Sequence, residues 1–132
     1  MDNELSWKER HPEFSALVGK TVISIARGDD SIGFVCSDGT EYVLEHRQDC
    51  CESVTIEDIC GDLSDLIGSP ILVAEEVCGE TAQPAGWHPG EYTESYTWTF
   101  YKLDTAKGGV TIRWYGESNG YYSESVSLER LK

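Results

Sequence analysis

The sequence predicts an α+β fold: a single β-rich domain of six to eight mostly antiparallel strands with one main helix at about residues 56–67. Three observations predict it. The chain has 132 residues, the size of one domain. Short β-branched and aromatic runs recur along it, separated by Gly, Asp and Pro turn signals. A single stretch carries apolar residues at helical spacing.

Residues 1–16 are polar with scattered charges and are expected to form an N-terminal arm or short helix, with the domain running over 17–132. Thr21–Arg27, Ser31–Ser37 and Thr40–His46 read as a three-strand meander, broken by Gly28-Asp29-Asp30 and Asp38-Gly39. A short strand, Glu52–Thr55, follows the turn at Asp49, Cys50 and Cys51. The helix over 56–67 rests on Ile56, Ile59, Cys60, Leu63, Leu66 and Ile67. Thr55 is placed to cap it with Asp58, and Gly68 and Pro70 stop it. Gly61 in its middle weakens such a helix by about 1 kcal/mol relative to Ala. Ile71–Val77 resumes a strand, and Cys78–Glu94 is the longest loop. Ser95–Leu103, Gly109–Gly116 and Tyr121–Leu128 supply three more strands.

Parity fixes two registers. A three-residue loop at Ser37-Asp38-Gly39 pairs Phe34 with Tyr42 and Ile32 with Leu44. The same form at Ser118-Asn119-Gly120 sets Val110 opposite Leu128 and Ile112 opposite Val126, with Gly120 left-handed. Arg113, Tyr115, Tyr121 and Ser123 then project together on the other face. The expected core holds Ile23, Ile25, Phe34, Leu44, Ile59, Leu63, Leu72, Trp98, Phe100, Ile112, Trp114 and Val126.

Charge narrows the function classes. Apolar residues make up 39% and charged ones 26%, and no apolar run approaches the roughly 18–20 residues of a membrane span. The opening MDNELSWKER lacks the apolar stretch of a signal peptide, so a cytosolic chain is expected. Acids number 24 against 10 bases, a net charge of -14, which argues against direct binding to nucleic acid or to an anionic membrane. Residues 28–80 hold 14 acids and Arg47 as the sole base, whereas the rest carries 10 acids and 9 bases. A charge run is usually a solvated face. Yet self-repulsion on this scale is destabilising, and one use for it is to occupy a basic partner in place of a nucleic-acid backbone. Glu57, Asp58, Asp62 and Asp65, on the solvent side of the expected helix with no base nearby, form the candidate partner-binding set.

The reactive side chains are less telling. Cys36, Cys50, Cys51, Cys60 and Cys78 are odd in number and contain no C-x2-C knuckle, so reduced thiols are expected and no metal site is assigned. On a strand Cys50 and Cys51 would point to opposite faces. Around them, Asp49 and Glu52 would raise a thiol pKa, the wrong direction for a nucleophile. A turn in which these acids bond backbone amides is the simpler account. No nucleophile elbow, P-loop, H-E-x-x-H or dinucleotide fingerprint occurs, so no catalytic residue and no cofactor are assigned. The alternative class is a small-ligand protein, a sponge for a nucleotide-like signal or a small enzyme. It would use Arg113, Tyr115, Tyr121, Ser123, Cys51 and Glu52, with arginine as the fork for an anion and tyrosine as the stacking wall.

Three stretches carry a resemblance: QDCCESV with IEDICGDLSDLIGSPIL, then WTFYKL, then IRWYGESNGYYSESV. Over about Leu17 to Val126 the chain resembles a small uncharacterised family of bacteriophage and bacterial proteins. The resemblance implies a phage accessory or host-interaction role in the host bacterial cytosol and no particular reaction. It draws attention to Cys50, Cys51, Glu52, Arg113, Trp114, Asn119, Gly120, Tyr121 and Tyr122. The expected function is a non-enzymatic accessory protein that inhibits a host defence or nucleic-acid-handling protein through its acidic surface.

Overall fold

In the computed structural model, which describes residues 5–79, 82–91 and 93–132, the first alternating runs form the expected meander. It comprises β1 (Val22–Arg27), β2 (Ser31–Cys36) and β3 (Glu41–Glu45). Ile32 pairs with Leu44 and Phe34 with Tyr42, as parity requires. Gly39 takes the left-handed position of the connecting loop at φ +90°. Five more strands follow: β4 (Ser53–Cys60), β5 (Val73–Cys78), β6 (Ser95–Thr105), β7 (Gly108–Ser118) and β8 (Ser127–Arg130). They assemble into two four-stranded sheets of order β1-β2-β3-β8 and β4-β7-β6-β5, and neighbouring strands run antiparallel.

The two sheets share one apolar core. Val22, Ile32, Phe34, Tyr42, Leu44 and Leu128 come from the first sheet, and Val54, Ala74, Tyr101, Leu103, Val110, Ile112 and Trp114 from the second. Ahead of β1, Ser6 caps a single helical turn, α1 (Trp7–Arg10). Phe14, within the stretch expected as an arm, is buried and packs on Tyr101 with ring centroids 4.6 Å apart.

The helix expected over 56–67 does not form. Ile56–Cys60 is the second half of β4, and Leu63–Leu66 is one 3-10 turn whose cap, Asp62, accepts the Ser64 N–H at 2.9 Å. The reason is a β-bulge. Ile56 lies opposite Trp114 and Asp58 opposite Arg113, which leaves Glu57 as the extra residue. The inward set therefore runs Val54, Ile56, Ile59, a step of two followed by a step of three, and imitates helical spacing. Gly61, at φ +104°, then turns the chain out of the strand.

The last hairpin is the second correction. The Ser118-Asn119-Gly120 turn exists, with Gly120 at φ +88° and the Tyr121 N–H donating to Asn119 Oδ1 at 2.9 Å. The chain does not return along β7, because β4 and β6 already hold both of its edges. It crosses instead to the first sheet, where β8 pairs with β3 and Leu44 faces Leu128. Val110, Ile112, Val126 and Leu128 thus belong to one core, but Leu128 lies on the first sheet and Val126 in the crossover, so neither is a cross-strand partner of β7. The Tyr101 hydroxyl, buried in the core, donates to the Val126 carbonyl at 3.2 Å and ties the crossover to the second sheet.

Within the expected core, Phe34, Leu44, Ile112, Trp114 and Val126 are buried together, and Ile25, Ile59 and Leu63 pack partly against them. Ile23 is 54% exposed because a bulge between Val22 and Ser24 turns it out. Leu72 is 60% exposed, just ahead of β5, and Phe100 is half-buried on the outer face of the second sheet. Trp98 is buried, but outside the shared core.

Candidate functional site

Strand register builds the site. On the second sheet Thr55 lies opposite Tyr115, and Tyr115 lies opposite Trp98, so the three adjacent strands β4, β7 and β6 present one row of side chains outward. The next row holds Asp58, Arg113 and Phe100. The loop after β5 brings Trp87 onto the first row. Its ring centroid lies 4.8 Å from Tyr96, 5.2 Å from Trp98 and 5.5 Å from Tyr115, in edge-on arrangements. Gln83 braces this loop by donating from Nε2 to the Trp87 carbonyl at 3.1 Å.

Between loop and sheet lies an open pocket of about 470 Å³, walled by Thr55, Glu57, Pro84, Trp87, Trp98 and Tyr115. Among the described residues, no lysine, arginine or histidine lines it. Burial pushes the Tyr115 phenol up to about 12, helped by its hydrogen bond to Glu117 Oε2 at 2.8 Å, so the ring stays neutral and donates. The buried Trp98 Nε1–H has no hydrogen-bond partner among the described residues.

The acidic set shares no helix face and divides between two places: Glu57 and Asp58 lie at the pocket end of the β4 bulge, whereas Asp62 and Asp65 lie on the 3-10 turn, where Thr105 Oγ1 donates to the Asp65 carbonyl at 2.6 Å. Glu57 and Asp58 are consecutive exposed residues at the β4 bulge, and Glu57 forms part of the pocket wall. Asp62 is exposed and Asp65 half-buried at the 3-10 turn. The N–H and hydroxyl of Ser64 hold the Asp62 carboxyl below its usual range. None of the four forms an ion pair among the described residues. The recorded pairs join Lys20 to Asp38, Lys102 to Asp104, Arg47 to Glu129 and Lys132 to Glu41, besides His46 to Glu52.

The six residues of the small-ligand alternative are dispersed, because the hairpin that would gather them is absent. Arg113 and Tyr115 share the outer face, but only Tyr115 lines the pocket. Tyr121 is 83% exposed and packs on Tyr122, with ring centroids 5.0 Å apart. Ser123 lines a separate groove of about 320 Å³ with His46, Arg47 and Asp49. Cys51 lines another, of about 360 Å³, with Ser53, Glu117 and Asn119. Glu52 is buried, where it accepts the Asp49 N–H at 2.8 Å and the Cys50 N–H at 2.9 Å. His46 bonds it through Nε2 at 2.7 Å and reaches the Ser125 carbonyl through Nδ1 at 2.6 Å.

Glu52 thus supplies the amide-bonding turn expected of this stretch. The Cys50 N–H above all, with the Asp49 N–H and His46, holds its carboxyl down to about 2 against the opposing effect of burial. Cys50 and Cys51 bring their sulfurs close together in this bend, whereas Cys36, Cys60 and Cys78 are free thiols. The opposite-face placement that a strand would give Cys50 and Cys51 does not apply here. Residues 49–51 form an irregular bend, in which adjacent side chains need not point apart.

Trp87 and Trp98 were not among the candidate site residues. The available signal was Trp87 itself, a large apolar residue alone in a loop of prolines and glycines. Fold and site together define an antiparallel two-sheet domain with an aromatic pocket on the outer face of one sheet and two acids, Glu57 and Asp58, without ion-pair partners among the described residues at its β4 margin. The chain belongs to the DUF7448 family, a domain of unknown function, whose family model matches residues 15–128. No curated protein and no solved structure matches it.

Proposed function

We propose that this chain is a non-enzymatic binding protein that docks on a basic protein through the acidic outer margin of its second sheet. The observation that carries the reading is the pair Glu57 and Asp58, exposed at the β4 bulge, unpaired, and adjoining the aromatic pocket. Four of the chain's lysines and arginines are committed to other acids, and Arg113, opposite Asp58, forms no ion pair with it among the described residues, which supports an acidic field at the β4 bulge offset by one base. In the bacteriophage setting that the motifs resemble, the partner is a cytosolic host protein, a defence or nucleic-acid-handling factor, and docking inhibits it.

Capture from bacterial lysate at low and high salt tests this reading, using wild type, Glu57→Lys with Asp58→Lys, and Asp62→Lys with Asp65→Lys. Charge-driven capture weakens steeply between about 0.1 M and 1 M salt, as the screening length falls from roughly 10 Å to 3 Å. Glu57→Lys with Asp58→Lys retains the melting temperature, Asp62→Lys with Asp65→Lys melts somewhat lower because the Asp62 cap is lost, and both lose the captured protein while folded. Retention of that protein by both charge-reversed variants overturns the proposal.

A further inference from the structure

We propose that the pocket between Trp87, Trp98 and Tyr115 is a receptor site for a guanidinium group, the arginine side chain of a basic partner. The source of the arginine rests on the acidic-surface reading, whereas the chemistry of the pocket stands on its own walls. Its lining includes Trp87, Trp98, Tyr115, Glu57 and Thr55 beside the Pro84–Gly86 turn, with no base among the described residues. Aromatic faces attract cations, indole most strongly. A guanidinium is flat and weakly hydrated, so it stacks on such rings at a smaller desolvation cost than a lysine ammonium. The two oxygens of Glu57 match its fork of N–H donors. An anion would meet Glu57 and a chain of net charge -14, and a neutral planar group would forgo both attractions. The volume, about 470 Å³, lies within the range of small-ligand sites.

The test is a titration of the full chain with N-acetyl-arginine amide, read from the indole N–H signals of Trp87 and Trp98 by NMR. N-acetyl-citrulline amide, of nearly the same shape but neutral, is the comparison. Saturable shifts with the arginine amide, and affinity for the citrulline amide weaker by roughly tenfold, are expected from combined cation–π and charge-assisted bonding. Glu57→Gln weakens the arginine amide by roughly tenfold and leaves the citrulline amide unchanged. Trp87→Ala abolishes binding and Trp87→Phe restores part of it, each with an unchanged spectrum for the two-sheet core. Equal affinities for the two amides, or no saturable shift of either indole signal, overturn the assignment. The two readings fail separately. Asp62→Lys with Asp65→Lys leaves this titration unaltered and reports only on capture.

Discussion

Replacing Gly61 with alanine tests the architecture by the sign of its effect. Gly61 sits at φ +104°, and a Cβ there would lie 2.4 Å from the Gly109 carbonyl oxygen and 3.2 Å from the Val110 Cα. Both atoms belong to the backbone of β7, which ladders on both sides hold in place. The left-handed conformation costs about 1–3 kcal/mol for a side chain. Forcing a packed backbone apart costs about another 1–3 kcal/mol. Restricting the unfolded chain returns about 0.4–1 kcal/mol. The net expectation is a loss of about 1–5.6 kcal/mol, or roughly 4–22 °C in Tm at about 4 °C per kcal/mol for a chain of this length. Urea and thermal unfolding measure it. Gly39→Ala is the internal control: its φ of +90° is similar, but nothing lies within 4 Å of the added Cβ. It should lose about 1–3 kcal/mol, the cost of conformation alone, before the same unfolded-state gain. Were residues 56–67 helical, Gly61→Ala would instead stabilise by about 1 kcal/mol. A raised or unchanged Tm for Gly61→Ala refutes the strand-and-turn account.

The Glu52 carboxyl, usually near 4.5, is held at about 2 in the folded chain, so the unfolded chain takes up its proton first on acidification. Its stabilising contribution is present above the usual value and is lost as pH falls from about 4.5 towards about 2. Glu52→Gln should lower Tm at neutral pH and flatten the acid limb of a Tm-versus-pH curve. An acid limb that superimposes on wild type contradicts the turn geometry. Tyr101→Phe removes the donor to the Val126 carbonyl and should cost about 1–2 kcal/mol in urea unfolding. An unchanged midpoint would mean that this bond does not hold the crossover.

The β1, β2 and β3 meander was legible because its alternation is nearly uninterrupted and Asp38-Gly39 marks the turn, so parity set the register between β2 and β3 correctly. β4 was misread because one inserted residue, Glu57, converts a period of two into the i, i+3 step of a helix. Around Gly120, local chemistry specified the turn, but a turn does not choose the strand its exit pairs with. That choice depended on which edge of β7 was free, a matter settled by β4 and β6 far away in sequence. The site divides in the same way. Tyr115 and Arg113 were placed on one face by alternation, whereas Trp87 reaches Tyr115 only through the path of a long loop. Glu52 was legible as an amide-bonding acid because its partners, Asp49 and Cys50, are its near neighbours in sequence.

Both bulges fall in strands at the margin of a sheet, the one between Val22 and Ser24 in β1 and the one at Glu57 in β4. A straight marginal strand is a template on which another chain can add, and irregularity with charge is what blunts it. At β4 the extra residue breaks the ladder and is itself an acid, followed by a second. A second copy approaching edge to edge would meet a mismatched ladder and its own sign of charge. Deleting Glu57 would straighten the strand and remove a charge together, and so turn a guarded margin into an adhesive one. The irregularity that disguises β4 as a helix in the sequence thus also helps to keep the folded chain from polymerising.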